Sequence, residues 1–432
     1  MMDQDRRAFL AATGTAFAAL LASGCAARSL AAPAAKSPYG ALAPDPAGLL
    51  DLPSGFSYRV IARLGDAMTD GGSVPDNADG MGCFDLGDGT LALVRNHELT
   101  ARQQSGAAPA AGYDRTSAGR VLHGGTTTQV LDAISLATVR QYRSLAGTIR
   151  NCAGGTTPWG SWLSCEEDTT RAGRGVERDH GWVFEVPANA PGLVEAVPLT
   201  AMGRFNHEAV AVDPATGIVY MTEDRDEGLL YRFVPNEPGK LASGGRLQAL
   251  AARGLEDSRN WEERRLSPGK SRAVRWIDLD QVDSPEDNLR RRGAAKGATL
   301  FARGEGIHMG RHELYFCCTS GGAAGLGQVF RLVPGADRLE LFFESLSKER
   351  FNYGDNLTVA PNGHLIVCED QYTAVVDNHL RGIAPDGGVY PLARLRTQTE
   401  LAGACFSPDG RTLFVNAYSP ATTLAITGPW AA

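Results

Sequence analysis

One grammar recurs six times along this chain. An apolar, strand-like run ends in an acidic or polar residue, a short loop follows, and a second strand-like run opens near glycine. "DGTLALVRNHE" precedes "GRVLHGGTTTQVLDA", "WGSWLSCEED" precedes "HGWVFEVP", and "TGIVYMTEDRDEG" runs into "LLYRFVP". "RHELYFCCTSGG" precedes "GQVFRLVP", "NGHLIVCEDQ" precedes "NHLRGIAPDG", and "DGRTLFVNAYSP" precedes "TTLAITGP". A hairpin repeated over this length predicts an all-β chain, an irregular six-bladed β-propeller with insertions between blades. A pair of β-sandwiches is the structural alternative. The 51 glycines sit mainly between short apolar runs, as the tight turns of such a fold require. The longest insertion, about Pro238 to Gly297, is charged and predicts a helix and loops on one face.

The N-terminus reads as an address. Arg6-Arg7 precede Phe9-Leu10 and an Ala-rich run ending at Gly24-Cys25. This resembles a twin-arginine export signal, the alternative being an ordinary secretory signal with two chance arginines. "LASGC" also resembles a lipoprotein cleavage box, although its leucine lies one place early, so a lipid anchor at Cys25 is a second expectation. The expected organisation is a signal over 1–25, an Ala/Pro-rich tether over 26–45 and a single propeller domain over 46–432. The expected location is periplasmic or extracellular, with the twin-arginine translocase as a partner during export and a monomer as the final state. A net charge of −7 with no basic block argues against nucleic acid. No C-x-x-C pair is present, which excludes a zinc ribbon.

Equivalent positions in blades lie at equivalent radii, so the acids that end each first run should surround one site. "SCEED", "MTED" and "VCED" supply Glu166, Glu167, Glu223, Glu369 and Asp370, and "RNHE" adds His97 and Glu98. "GRFNHEAVAVDP" with His207 and Glu208, and "ARGEGIHM" with Glu305, read as innermost strands. Six or seven carboxylates aimed at a common channel repel one another and need cations. Carboxylate oxygens suit calcium, and Cys152 in "TIRNCAGG" raises a transition metal such as iron, against the alternative of an inert buried thiol. Cys165, Cys368, Cys317 and Cys318 read as core, the last two pointing to opposite faces of a strand. His97 and His207 read as orienting the adjacent glutamates. Arg95, Arg150, Arg204 and Arg303 each stand one to three residues before a candidate ligand, and four together suggest recognition of a phosphate. Neither G-x-x-x-x-G-K-[ST] nor G-x-S-x-G occurs, which weakens nucleotide-triphosphatase and serine-hydrolase readings.

"NCAGGTTPWGSWLSCEE", "GRFNHEAVAVDPATGIVYMTED", "RGEGI", "DNLTVAPNGHLIVCED" and "FSPDGRTLFVNAYSPATTLAITGPW" resemble the PhoX family of bacterial alkaline phosphatases, from about Leu52 to Trp430. The resemblance implies a six-bladed propeller, export by the twin-arginine route and hydrolysis of phosphate monoesters at a central cluster of iron and calcium. It implies that Cys152 is an iron-binding thiolate, and that Glu166, Glu167, Glu208, Glu223, Glu305, Glu369 and Asp370 are the candidate metal ligands. It further implies that Arg303 binds the substrate phosphate, with Arg204 and Arg150 beside it, and that Arg303 and Glu305 carry catalysis. Two other readings of the residues stay open: a calcium-dependent propeller lactonase or phosphotriesterase, and a non-catalytic binding propeller stabilised by calcium.

Overall fold

Strands buried on both faces lose the alternating pattern of a one-sided sheet and become near-continuous apolar runs. Leu314–Cys318 (LYFCC) and Leu365–Glu369 (LIVCE) are of this kind, with every residue buried. The computed structural model describes residues 36–430. All six predicted hairpins form as antiparallel pairs. They are Thr90–His97 with Gly124–Asp132, Ser161–Glu166 with Val183–Pro187, and Val219–Glu223 with Leu230–Pro235. The rest are Leu314–Cys318 with Gln328–Val333, Leu365–Glu369 with His379–Ile383, and Thr412–Ala417 with Thr422–Thr427.

Each hairpin gains one more strand on its inner side: Ala78–Asp85, Asn151–Thr156, His207–Val212, Gly304–Met309, Gly354–Val359 and Leu401–Phe406. These inner strands lie against one another in a closed cycle, the last returning to the first. The arrangement is all-β and propeller-like, not a pair of sandwiches. Among the described residues hydrogen bonding joins the strands into five sheets, one of nine strands in which Ser271–Asp278 bridges two neighbouring units. The two ends of the chain meet where Ser57–Arg63 pairs with Thr422–Thr427. Adjacent sheets are glued face to face. Leu163, Cys165 and Val183 of one pack with Val210, Met221 and Tyr231 of the next, each large side chain worth ~1.5–3 kcal/mol on burial.

The expected alternation of cysteines holds. Cys317 and Cys318 join different core clusters, one on each side of their strand. Cys165 and Cys368 are core residues too.

Two expectations need correction. The Pro238–Gly297 insertion contains the helix Leu289–Ala295, but also the strands Gly245–Ala252 and Ser271–Asp278, which extend a sheet. The charged run concealed the half-buried alternation of Ser271–Asp278, whereas Gly245–Ala252 is buried over its last six residues. Within the stretch expected as a tether over 26–45, Tyr39 is instead buried in an edge-on cluster with Phe56, Tyr390 and Trp430. Asp45 likewise accepts bonds from the backbone of Leu49 and Leu50 and from the Tyr58 hydroxyl. The twin-arginine segment and Cys25 lie outside the described residues.

Candidate metal centre

Every inner strand carries the same irregularity. Its first residue pairs with the last residue of the neighbouring strand, as Asn151 with Glu166, His207 with Glu223 and Gly354 with Glu369, and the register then slips. The slip recurs after Ala78, Gly304 and Ala402. Such a bulge frees the second residue of the strand from the ladder and re-aims it. In five inner strands that second residue is Asp79, Cys152, Glu208, Glu305 or Asp355. The residue after it must be small where backbones touch. A Cβ on Gly306 would stand 2.7 Å from the Asn356 Cα, and one on Gly80 would stand 2.5 Å from the Ala153 Cα.

Asp79, Glu98 and Cys152 bring one donor atom each within 4.8 Å of one another, as do Cys152, Glu167 and Glu208, and likewise Glu208, Glu305 and Asp355. The three groups share Cys152 and Glu208 and so form one chain of donors. The Cys152 thiol donates to Glu208 Oε1 at 3.2 Å and to Asp79 Oδ2 at 3.4 Å. Burial, reinforced by mutual repulsion, raises the pKa of Asp79, Glu208 and Glu305 well above the carboxylate range. Burial followed by Asp79 and Glu208 does the same to the Cys152 thiol. Glu208 Oε2 and Asp355 Oδ1 are buried with no hydrogen-bond partner. Orphaned carboxylate oxygens crowded against a thiol fit a polynuclear cation site, with oxygens for hard ions and one sulfur for a softer ion.

Two arginines border the donors, each held in the left-handed backbone region just before its inner strand: Arg150 at φ 44° and Arg303 at φ 51°. Arg303 grips Asp224 with bonds of 2.8 and 2.9 Å and reaches Glu305 at 3.1 Å and the Tyr372 hydroxyl at 3.3 Å. Arg150 bonds Glu98 Oε1 at 2.7 Å and pairs with Glu167. Tyr418 donates to Glu98 at 2.6 Å.

Of the residues singled out in the sequence, Cys152, Glu167, Glu208, Glu305, Arg150 and Arg303 come together here. Asp370 lies near enough to raise the pKa of Asp355. Seven others do not join them. Glu166 is fully buried and accepts bonds from the backbone of Ile149, Gly181 and Trp182 and from His180. Glu223 bonds the Tyr231 hydroxyl and the Leu229 backbone. Glu369 bonds the backbone of Asn352 and His379 and Arg381 Nε. Successive strand residues face opposite ways, so these last strand residues turn between sheets while Glu167, Asp224 and Asp370 face the centre. Arg204 is fully buried and donates to the carbonyls of Thr169 and Ser284, so it cannot bind substrate. Arg95 is likewise interior, bonded to Thr423 and Thr127. His97 bonds the Asp76 carbonyl and Thr127, and His207 bonds the Gly203 carbonyl while stacking on Phe205. Asp79 and Asp355 escaped the sequence reading, and Asp224, although part of "MTED", was not among the ligands it named. "NADGMGCF" and "YGDNLTV" carried the signal for Asp79 and Asp355, an acid next to a glycine at the start of an apolar run, as in "RGEGIHM".

A family profile described as alkaline phosphatase PhoX matches residues 37–421. No curated protein matches the chain. Among solved structures it is similar to Pseudomonas fluorescens PhoX, solved with vanadate, a transition state analogue. The TM-score is 0.69 and the identity 19%, over 92% of this chain and 97% of that one. A gluconolactonase from Xanthomonas campestris scores 0.42 at 16% identity, over 91% and 99%. The calcium-binding protein regucalcin from Agrobacterium tumefaciens scores 0.42 at 11%, over 86% and 96%. The chain belongs to the PhoX family of alkaline phosphatases and is a phosphatase.

Proposed function

We propose that this phosphatase hydrolyses phosphate monoesters at a cluster of iron and calcium ions near the axis of a six-bladed propeller. The observation that carries this reading is the convergence of the Cys152 thiol with Asp79, Glu167, Glu208, Glu305 and Asp355. Cys152 would hold iron, and the carboxylates, with Glu98, would supply oxygens to the ions. Once bound, such ions polarise phosphoryl oxygens and lower the pKa of water. The six inner strands following one another round the centre support the six blades.

The protein's own groups then have defined tasks. Arg303, fixed by Asp224 through Nε and Nη2, has its Nη1 left to donate to the substrate phosphate and offsets charge on its oxygens. Arg150, clamped by Glu98 and Glu167, adds a fixed positive charge beside the same donors. The Tyr418 hydroxyl holds Glu98 in orientation. Export by the twin-arginine route, a periplasmic or extracellular location, a lipid anchor at Cys25 and a monomeric state belong to the same reading. They rest on the N-terminal sequence and the family. The deciding experiment is hydrolysis of 4-nitrophenyl phosphate by natively exported protein, with metal analysis of the same sample. Iron and calcium together, with turnover lost to a chelator, is the expected result. Equal rates with and without chelator would overturn it.

A further inference from the structure

A second cavity opens beside the donors, of about 330 Å³, and it shares Arg150 and Glu167 with them. Away from that edge it is lined by Arg171, Arg174, Arg225 and Asn206. Four guanidinium groups thus face two carboxylates, Glu167 and Asp168. Arg150 already neutralises Glu167, and Asp168 accepts the backbone N–H of Thr170 at 2.7 Å. The remaining cations are weakly committed. Arg171 has Asp179 at 3.2 Å, Arg225 has Asp287 only at 3.8 Å and donates to Asn206 at 2.7 Å. The Arg174 guanidinium has no hydrogen bond or ion pair among the described residues, and its side chain is exposed. The wall is anchored from below by buried Arg204, which holds the carbonyl of Thr169. A cationic recess with a fixed floor, contiguous with a site for phosphate, is built for a second dianion.

We propose that this recess is a subsite for a second phosphate on the same substrate, so that the enzyme selects bisphosphates and diphosphates over simple monoesters. The inference rests on the phosphatase reading above. The reaction remains a hydrolysis. Water oxygen bonds to the phosphorus of the phosphate held beside Arg303, and the ester or anhydride P–O bond breaks with its electron pair leaving on the bridging oxygen. The water protons pass to the products and solvent. The phosphate in the recess is bound and not cleaved.

The test uses the non-hydrolysable propane-1,3-diyl bisphosphonate as inhibitor of 4-nitrophenyl phosphate hydrolysis, with excess calcium, against orthophosphate. Wild type is expected to bind the bisphosphonate about tenfold or more tightly than orthophosphate. The Arg171→Ala/Arg174→Ala protein is expected to lose that preference, its inhibition constant rising about tenfold for the bisphosphonate and much less for orthophosphate. Equal shifts for both inhibitors, or no wild-type preference, overturn the subsite. If wild type hydrolyses no monoester, the functional reading fails instead. Calorimetric titration of the two proteins with the bisphosphonate then still decides the subsite, tighter binding by wild type supporting it and equal binding overturning it.

Discussion

The sulfur of Cys152 lies 3.2 Å from Glu208 Oε1, although the residues are 56 positions apart and sit on adjacent inner strands. The bulge that follows each inner strand's opening brings them together, because it turns both side chains to the axis at one level. Cys152 and Glu208 each belong to two of the three donor groups, which makes this pair the joint of the cluster.

Cys152→Ser should therefore remove iron while retaining calcium, with turnover reduced by about a hundredfold or more. Elemental analysis and rates on the same preparation check this. A variant with full iron and full rate would show that the sulfur is no ligand.

Glu305 and Glu369 separate site from scaffold. Glu305→Gln removes one charge from the donor set, keeps the shape, and should abolish turnover with little loss of thermal stability. Glu369→Gln weakens a buried bond to Arg381 and should cost about 2 kcal/mol of stability. Its rate per folded molecule should stay near wild type. Denaturation curves and active-site-normalised rates distinguish the pair.

Arg303→Ala should act mainly on phosphate binding. KM should rise by about ten- to a hundredfold and inhibition by orthophosphate should weaken in parallel. Asp224, freed of its two bonds, would then add uncompensated negative charge to the site. Unchanged KM and unchanged phosphate inhibition would place substrate recognition elsewhere.

Gly306→Ala tests the contact that sets the inner ring. The added Cβ would meet Asn356 Cα at 2.7 Å, Leu357 N at 2.8 Å and Asp355 O at 2.9 Å, all backbone. Backbone cannot swing aside, so a loss of about 1–3 kcal/mol is expected, with less metal bound because Glu305 and Asp355 move apart. Melting temperature and metal content measure both effects.

His180 should give stability a pH dependence. Burial disfavours its charged ring, but Glu166 at 2.6 Å and Asp114 at 3.0 Å outweigh that and raise the pKa to about 9. The folded value exceeds the ordinary value of about 6.5. The stabilisation is thus complete below about 6.5 and disappears as pH climbs through about 9, a change on the order of 3 kcal/mol. Melting curves of wild type and His180→Gln from neutral to alkaline pH should converge above about 9. A constant gap would show that the ring carries no charge.

The six hairpins were legible in the sequence because a strand packed on both faces has to be written in apolar residues, whatever surrounds it. The same local logic placed Glu208 and Glu305 on inner strands and sent Cys317 and Cys318 to opposite faces. Two neighbouring acids such as Glu166 and Glu167 are equivalent to a reader of sequence. Only the pairing of Asn151 with Glu166, and the slip that follows it, decides that one caps a loop while the other faces the cluster of donors. Arg204 reads like Arg150 and Arg303, yet carbonyls of Thr169 and Ser284, supplied by distant loops, hold it in the interior. Local patterning determined which segments are strands. The facing of each charged side chain depended on register and on partners far along the chain, and those exist only once the sheets close around a common axis.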